Sequence, residues 1–265
     1  MANIGLTNIW FSKLTEGTDG TATYDGAVQM GKAVSCDVSI TNNDAKLYGD
    51  DALAESDTSF ASGTITLGLT DDDDTIFAPL LGHEIDAGGE VTKTSTDVAP
   101  YVGVGRIVTK MVNGAYKYKV EILLKCKFSE GSKSEQTKGE SIEFSTPSIE
   151  GIVACLADNK GSWNKTKTFS SKADALTFLK NFFAPAGASY RVTFDLMGGT
   201  SSEIEDTDVE AGQSIVLDDG TNITAPEGKT FVGWADYAEA TTANVTSPFT
   251  PSEDITLYAV YANAS

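Results

Sequence analysis

Apolar and polar residues alternate with a period of two along much of the chain. Between Tyr116 and Phe128 the even positions read Tyr116, Tyr118, Val120, Ile122, Leu124, Cys126 and Phe128. The odd positions read Lys117, Lys119, Glu121, Leu123, Lys125 and Lys127, which predicts a long strand with one apolar and one charged face. Shorter runs repeat the pattern. Val34, Cys36, Val38 and Ile40 alternate with Ser35, Asp37 and Ser39, and Ile65, Leu67 and Leu69 with Thr64, Thr66 and Gly68. Residues 101–111 form another strand candidate, joined to the long one by Asn113-Gly114, a pair suited to a tight hairpin turn. Ile142 and Phe144 mark a further strand, and the segments 190–196, 214–217, 230–234 and 255–261 read as strands near the C-terminus.

Helical signals are few. The segment 72–81 (DDDTIFAPLL) reads as a short helix with acids in its first turn, where they complement the helix dipole, and Pro79 limits its length. The segment 170–183 (SSKADALTFLKNFF) is the best helix. Ser170 or Ser171 can cap it, and Ala175, Leu176, Leu179, Phe182 and Phe183 form one apolar face. Residues 41–60 and 84–100 read as long loops, and the first holds Leu47 and Tyr48 within otherwise polar, acidic surroundings. Loops of that length in a compact domain are usually functional or disordered. The fold class is mainly β.

Charge refines the picture. The chain has 38 acidic and 19 basic residues, a net charge of −19. A free-standing nucleic-acid binder needs the opposite sign, because phosphate contacts come from Lys and Arg. The imbalance is uneven: residues 1–186 carry 17 bases and 25 acids, residues 187–265 only Arg191 and Lys229 against 13 acids. With Ala184-Pro185-Ala186-Gly187 following the last helix, the expected organisation is a domain at 1–184, a linker at 185–188 and a β module at 189–265.

The three cysteines, Cys36, Cys126 and Cys155, are widely spaced with no CxxC, which points to buried thiols in a reducing compartment. The opening MANIGLTNIWFSKLTEG has no basic n-region, and no apolar run nears the ~20 residues of a membrane span. The expectation is a chain made and folded in a cytoplasm, where the Asn-x-Thr sequons at Asn164, Asn222 and Asn244 carry little weight.

Candidate chemistry is sparse. Asp71–Asp74 is the densest acid run, but Ca²⁺ loops space their ligands and include glycine, so it reads as a solvated helix start. His83, the single histidine, reads as a helix-end residue with no nucleophile beside it. Gly103-Val104-Gly105 lacks the third glycine and following helix of a dinucleotide fingerprint. Asp206, Asp208 and Glu210 read as a solvated acidic edge. Lys117, Lys119, Lys125 and Lys127 read as one basic row, suited to cross-strand or intersubunit pairing rather than to DNA. The expectation is a protein that is not an enzyme, with no catalytic, metal or cofactor site.

Two resemblances extend this reading. Residues 1–183 resemble the major tail protein, or tail-tube subunit, of phages with long non-contractile tails. The carrying segments are NIGLTNIWFSKL, KLYGDDALAESDTSFASGTITLGL, DTIFAPLLGHE, KYKVEILLKCKF and SIEFSTPSIEG. The resemblance implies a β-sandwich with a flanking helix, assembled as hexameric rings that stack into a tube. One sheet of each subunit joins its neighbours into a barrel wall, and the 41–60 loop reaches the adjacent ring. Leu47 and Tyr48, apolar in that loop, are the expected ring-to-ring anchor, the alternative being that they pack onto their own subunit. The implied partners are further copies of the chain and the tape-measure and tail-terminator proteins. DNA passes through the lumen without specific binding. The implied location is the virion tail, assembled in the host cytoplasm.

Residues 190–261 resemble an internalin-type B repeat, a small Ig-like β module, through YRVTFDLMGG, VEAGQSIVL, APEGKTFVGWAD and TPSEDITLYAVYA. The acidic insert SSEIEDTDVE and the single copy depart from that pattern. The resemblance implies that Phe231, Trp234, Tyr258 and Tyr261 form the module's core. It also implies a decoration of the tube exterior, with a host cell-surface glycan as its ligand. The competing reading is a carbohydrate-binding or adhesive β-rich surface protein.

Overall fold

The computed structural model describes residues 2–50, 52–70, 73–131 and 147–264. The chain is mainly β and forms two compact units, Met1–Leu179 and Lys180–Ser265. The first unit opens with β1 (Ala2–Glu16), β2 (Ala22–Tyr24), β3 (Val28–Gln29) and β4 (Ala33–Asn42). It continues with β5 (Ala45–Gly49), β6 (Ala52–Asp57), β7 (Phe60–Leu69) and helix α1 (Asp74–Leu81). Then come β8 (Glu84–Ile85), β9 (Val91–Thr92), β10 (Val102–Val112), β11 (Ala115–Ser129), β12 (Ser148–Ala154) and β13 (Asn164–Phe169). Helix α2 (Lys172–Phe182) crosses the division between units. The second unit holds β14 (Ser189–Asp195), β15 (Thr207–Glu210), β16 (Lys229–Ala235) and β17 (Ile255–Asn263). The expected strand at Ile142 and Phe144 lies outside the described residues, as do Asp71 and Asp72.

The main sheet of the first unit runs β2-β1-β10-β11-β12-β7-β4, with β13 also on β11 and β3 on β1. Residues from both ends of that order share one core: Leu6, Ile9 and Phe11 from β1 with Cys36 and Val38 from β4, around Leu67, Val104 and Phe128. The sheet therefore curls over its own apolar face. The β10–β11 hairpin turns at Asn113-Gly114, where both residues have positive φ (50° and 78°), the twist that a two-residue hairpin favours.

A β-bulge corrects the reading of β11. Val104 pairs with Leu123 and Val102 with Cys126, so β11 carries one extra residue between those pairs and its alternation shifts. Leu123, Cys126 and Phe128 all join the enclosed core, although Leu123 stands at an odd position. The even residues before the bulge, Val120 and Ile122, are buried on the opposite face. Lys117 and Lys119 consequently lie on the other side of the sheet from Lys125 and Lys127, and the expected single lysine row is two half-rows. A second shift, between Ala33 and Ser35 on β4, leaves Val34 exposed while Cys36 and Val38 pack inward.

Helix α1 starts two residues later than the pattern predicts. The Asp73 side chain caps it by accepting from the Thr75 N–H (2.8 Å) and hydroxyl (2.6 Å), which satisfies an orphan donor of the first turn. Gly82 ends it in the left-handed region at φ 79°, and a Cβ there would stand 2.3 Å from the Val98 carbonyl oxygen. Gly82→Ala therefore meets both backbone strain and a clash with backbone. We expect it to lower the stability of the first unit by about 1–3 kcal/mol. A urea titration that returns the wild-type midpoint would refute this. Helix α2 starts where the Ser171 hydroxyl accepts from the Ala173 (3.2 Å) and Asp174 (3.4 Å) N–H groups.

The second unit is a four-stranded sheet in the order β15-β14-β17-β16, with β14 and β17 parallel and the other pairs antiparallel. The expected strand at 214–217 is reduced to one bridge, Ile215 to Phe249, and the acidic stretch 207–210 supplies the edge strand instead. The residues expected as a linker are tied in: Ala188 donates its N–H to Pro185 (3.0 Å) and accepts from Ala211 (2.9 Å).

Candidate functional site

The segment 41–60, read from sequence as a loop, is a hairpin. β4 extends to Asn42, β5 and β6 pair only with each other among the described residues, and β7 starts at Phe60. Its root is fixed by the Asn43 N–H on the Ser59 carbonyl (2.8 Å) and the Asn43 amide on the Ser59 hydroxyl (2.9 Å). Both ribbon faces are exposed, and three large apolar side chains stand on it: Leu47 at 63%, Tyr48 at 65% and Leu53 at 53% exposure. Tyr48 and Leu53 are direct cross-strand partners, while Leu47 faces Glu55. An isolated two-stranded ribbon is marginal in water, and no other strand among the described residues pairs with this one. Strand β4, at the end of the sheet order, adds an exposed edge carrying Val34 and Ile40.

The second expected loop, 84–100, contains the short β8–β9 hairpin, whose turn is held by Asp86 accepting from the Gly88 and Glu90 N–H groups (2.8 Å each). The sequence carried a signal for it, the Asp-Ala-Gly-Gly turn at 86–89, but two-residue strands leave no periodicity to read. His83 sits just beyond α1 as expected, yet its side chain is only 7% exposed and lies between two carboxylates.

The charged groups of β11 pair within the unit. Arg106 on β10 binds Glu121 (2.7 Å) and donates to the Cys36 carbonyl (3.2 Å), and Lys119 pairs with Glu121 as well. Burial works to raise the Glu121 carboxyl. Hydrogen bonds from Lys119 and Arg106, with their charges, outweigh it and hold the group below its usual range. On the other face Lys125 pairs with Glu16, and the ammonium groups of Lys125 and Lys127 lie over the Tyr101 ring at 4.5 and 5.3 Å. Burial raises the Cys36 and Cys126 thiols, so neither is primed as a nucleophile. Among the described residues no three His, Cys, Asp or Glu side chains gather to hold a metal, and no helix is long and apolar enough to cross a membrane.

In the second unit Trp234 is 2% exposed and meets Phe231 (5.5 Å) and Phe194 (5.1 Å) edge to face, and Phe231 meets Tyr261 (6.0 Å) likewise. The Trp234 indole donates to the Asp218 carbonyl (2.9 Å) and the Tyr261 hydroxyl to the Leu196 carbonyl (2.8 Å). Tyr258 departs from the expected core set. Alternation along β17 places Leu257, Ala259 and Tyr261 on the core face and Tyr258 on the other. Phe194, which the sequence reading did not single out, takes a place in the cluster. Beside it an open groove of about 780 Å³ runs between Ile204, Leu217 and Trp234, rimmed by Glu203, Glu205, Asp218 and Asp219. Asp206 and Asp208 hold structural positions, with Asp206 accepting from the Phe194 N–H (3.1 Å) and Asp208 pairing with Arg191 (3.3 Å).

Residues 190–260 match the Listeria–Bacteroides repeat domain. This Ig-like bacterial repeat covers nearly all of the four-stranded sheet, from within β14 to within β17. It contains Phe194, Phe231 and Trp234, and stops one residue before Tyr261. A repeat of this kind suggests a surface or adhesive β-rich protein. None of the curated proteins matches the chain.

Proposed function

We propose that the chain is the tube subunit of a long, non-contractile phage tail, with the Listeria–Bacteroides repeat as an exterior decoration. The observation that carries this reading is the β5–β6 ribbon: three large apolar side chains exposed on an element that pairs with no other strand among the described residues. A second copy covers them, and the long β4 edge finds its partner strand in a neighbouring subunit of a hexameric ring. The tape-measure and tail-terminator proteins are its other partners, and DNA passes through without specific contacts. The protein then acts without catalysis or cofactor, and its place is the virion tail after assembly in the host cytoplasm. Light scattering behind size-exclusion chromatography over a concentration series, with negative-stain microscopy, tests the proposal. Rings or tubes are the expected result. A strict monomer at every concentration would overturn it.

The repeat favours a second reading, a β-rich surface protein that adheres through this module. The groove beside Phe194 gives it a place for a ligand such as a cell-surface glycan, because its carboxylates and the Ser247 hydroxyl can accept sugar hydroxyls. Monomers in the assembly experiment, together with glycan binding by the full chain, would make this the leading function.

A further inference from the structure

The single histidine is part of a network that joins three segments of the first unit. Its Nδ1 lies 2.5 Å from the Asp97 carboxylate and its Nε2 lies 2.8 Å from the Glu130 carboxylate. Asp97 belongs to the loop after β9, Glu130 follows β11, and His83 follows the C-cap of α1. Lys93 from the loop reaches the same Glu130 oxygen at 2.6 Å. Asp97 also accepts from the Thr94 N–H (2.9 Å) and hydroxyl, which closes the loop's last turn. The backbone at Val98 approaches Gly82 so closely that no side chain fits between them.

Two carboxylates facing the two ring nitrogens require both nitrogens to donate, which only the imidazolium does. A neutral ring must turn one bare nitrogen toward a carboxylate. It would then lose a charge-assisted hydrogen bond at a side chain nearly closed to water. Among the described residues Asp97, Glu130 and, through Glu130, Lys93 are the charged groups gathered on His83.

We propose that His83 is the pin of a pH-sensitive clasp, which holds the 86–97 loop against the ends of α1 and β11 while the ring is protonated and loosens when it is not. The clasp goes beyond the tube proposal and does not depend on it. Hydrogen bonding to Asp97, with a further contribution from Glu130, raises the His83 pKa above its usual 6.5 against the opposing effect of burial. The Thr94 contacts and then His83 hold Asp97 down at about 2. A group whose folded pKa is raised stabilises fully below its unfolded pKa, and the contribution disappears as pH rises through the folded value. The loop is therefore held best on the acid side of about pH 6.5 and loosens above it. Asp97 and Glu130 stay ionised throughout that window.

Hydrogen exchange on the full chain tests the clasp in any state of assembly. Exchange at the imidazole carbon, read by mass spectrometry, reports the pKa of the one histidine, and backbone amide exchange reports the loop. The expected pKa lies above 6.5. Protection of the 86–97 amides, corrected for intrinsic rates, should fall by up to tenfold per pH unit between about pH 6.5 and the pKa of His83, then level off. In His83→Gln the same amides should show no pH dependence there. A His83 pKa at or below 6.5, or the same loop profile in both proteins, overturns the proposal. Should His83→Gln fail to fold, Asp97→Asn and Glu130→Gln decide. Each removes one carboxylate and should lower the histidine pKa, and an unchanged pKa in both would be equally fatal.

Discussion

On the proposed tube assembly, replacing Leu47 and Tyr48 together by serine is expected to abolish tube growth and leave the subunit folded. Both side chains are mostly exposed within their own unit, so removing them costs the fold little. Covering a side chain of this size at an interface contributes about 1.5–3 kcal/mol by the area removed from water. Two of them weaken each contact by roughly 3–6 kcal/mol, about 150-fold to 20,000-fold in affinity. A stacked tube repeats the contact at every subunit, so the loss compounds along its length. Sedimentation and negative-stain microscopy read assembly, and far-UV circular dichroism reads the fold. Tubes of normal length from the double variant would remove the ribbon from the interface.

The second large effect is expected from Trp234→Ala, which should unfold the Listeria–Bacteroides repeat while residues 1–179 remain folded. The indole is buried among Phe194, Phe231 and Tyr261, and its N–H satisfies the Asp218 carbonyl. Truncating a buried tryptophan costs about 3–5 kcal/mol, a large share of the 5–15 kcal/mol that holds a typical domain together. For a unit of this size that loss lowers the thermal midpoint by roughly 15–30 °C. Region-resolved hydrogen exchange separates the two units. Unchanged protection across 190–260 would show that the aromatic cluster is not the module's core.

The β5–β6 ribbon was hard to read for a physical reason. Strand signals in sequence come from one face being buried, and a ribbon wet on both faces has no such face to mark. Residues such as Lys46, Glu55 and Asp57 therefore look like loop, although the backbone pairs through them. Leu47 and Tyr48 still stood out, because two large apolar residues in an acidic stretch need a reason. Leu53, across from Tyr48, became legible only with the register known.

The His83 clasp was legible in no part. Asp97 and Glu130 lie 14 and 47 residues from the histidine, and each is an ordinary acid in an ordinary polar segment. Only the docking of the loop on Gly82 and the run of β11 bring them together. The same holds for Arg106 and Cys36, 70 residues apart and joined by the curl of the sheet.

By itself the sequence determined the mainly β character, the β10–β11 hairpin at Asn113-Gly114, both helices to within a few residues and the distinct C-terminal module. These follow from local causes: side-chain periodicity, turn residues that accept positive φ, capping side chains, and a repeat whose apolar and glycine positions lie close together in the chain. The tertiary structure alone decided which face each part of β11 presents, because one extra residue in a bulge reverses the alternation and nothing in the side chains announces it. It also decided which apolar residues stayed uncovered and which charges met, since both depend on segments distant in sequence being packed side by side.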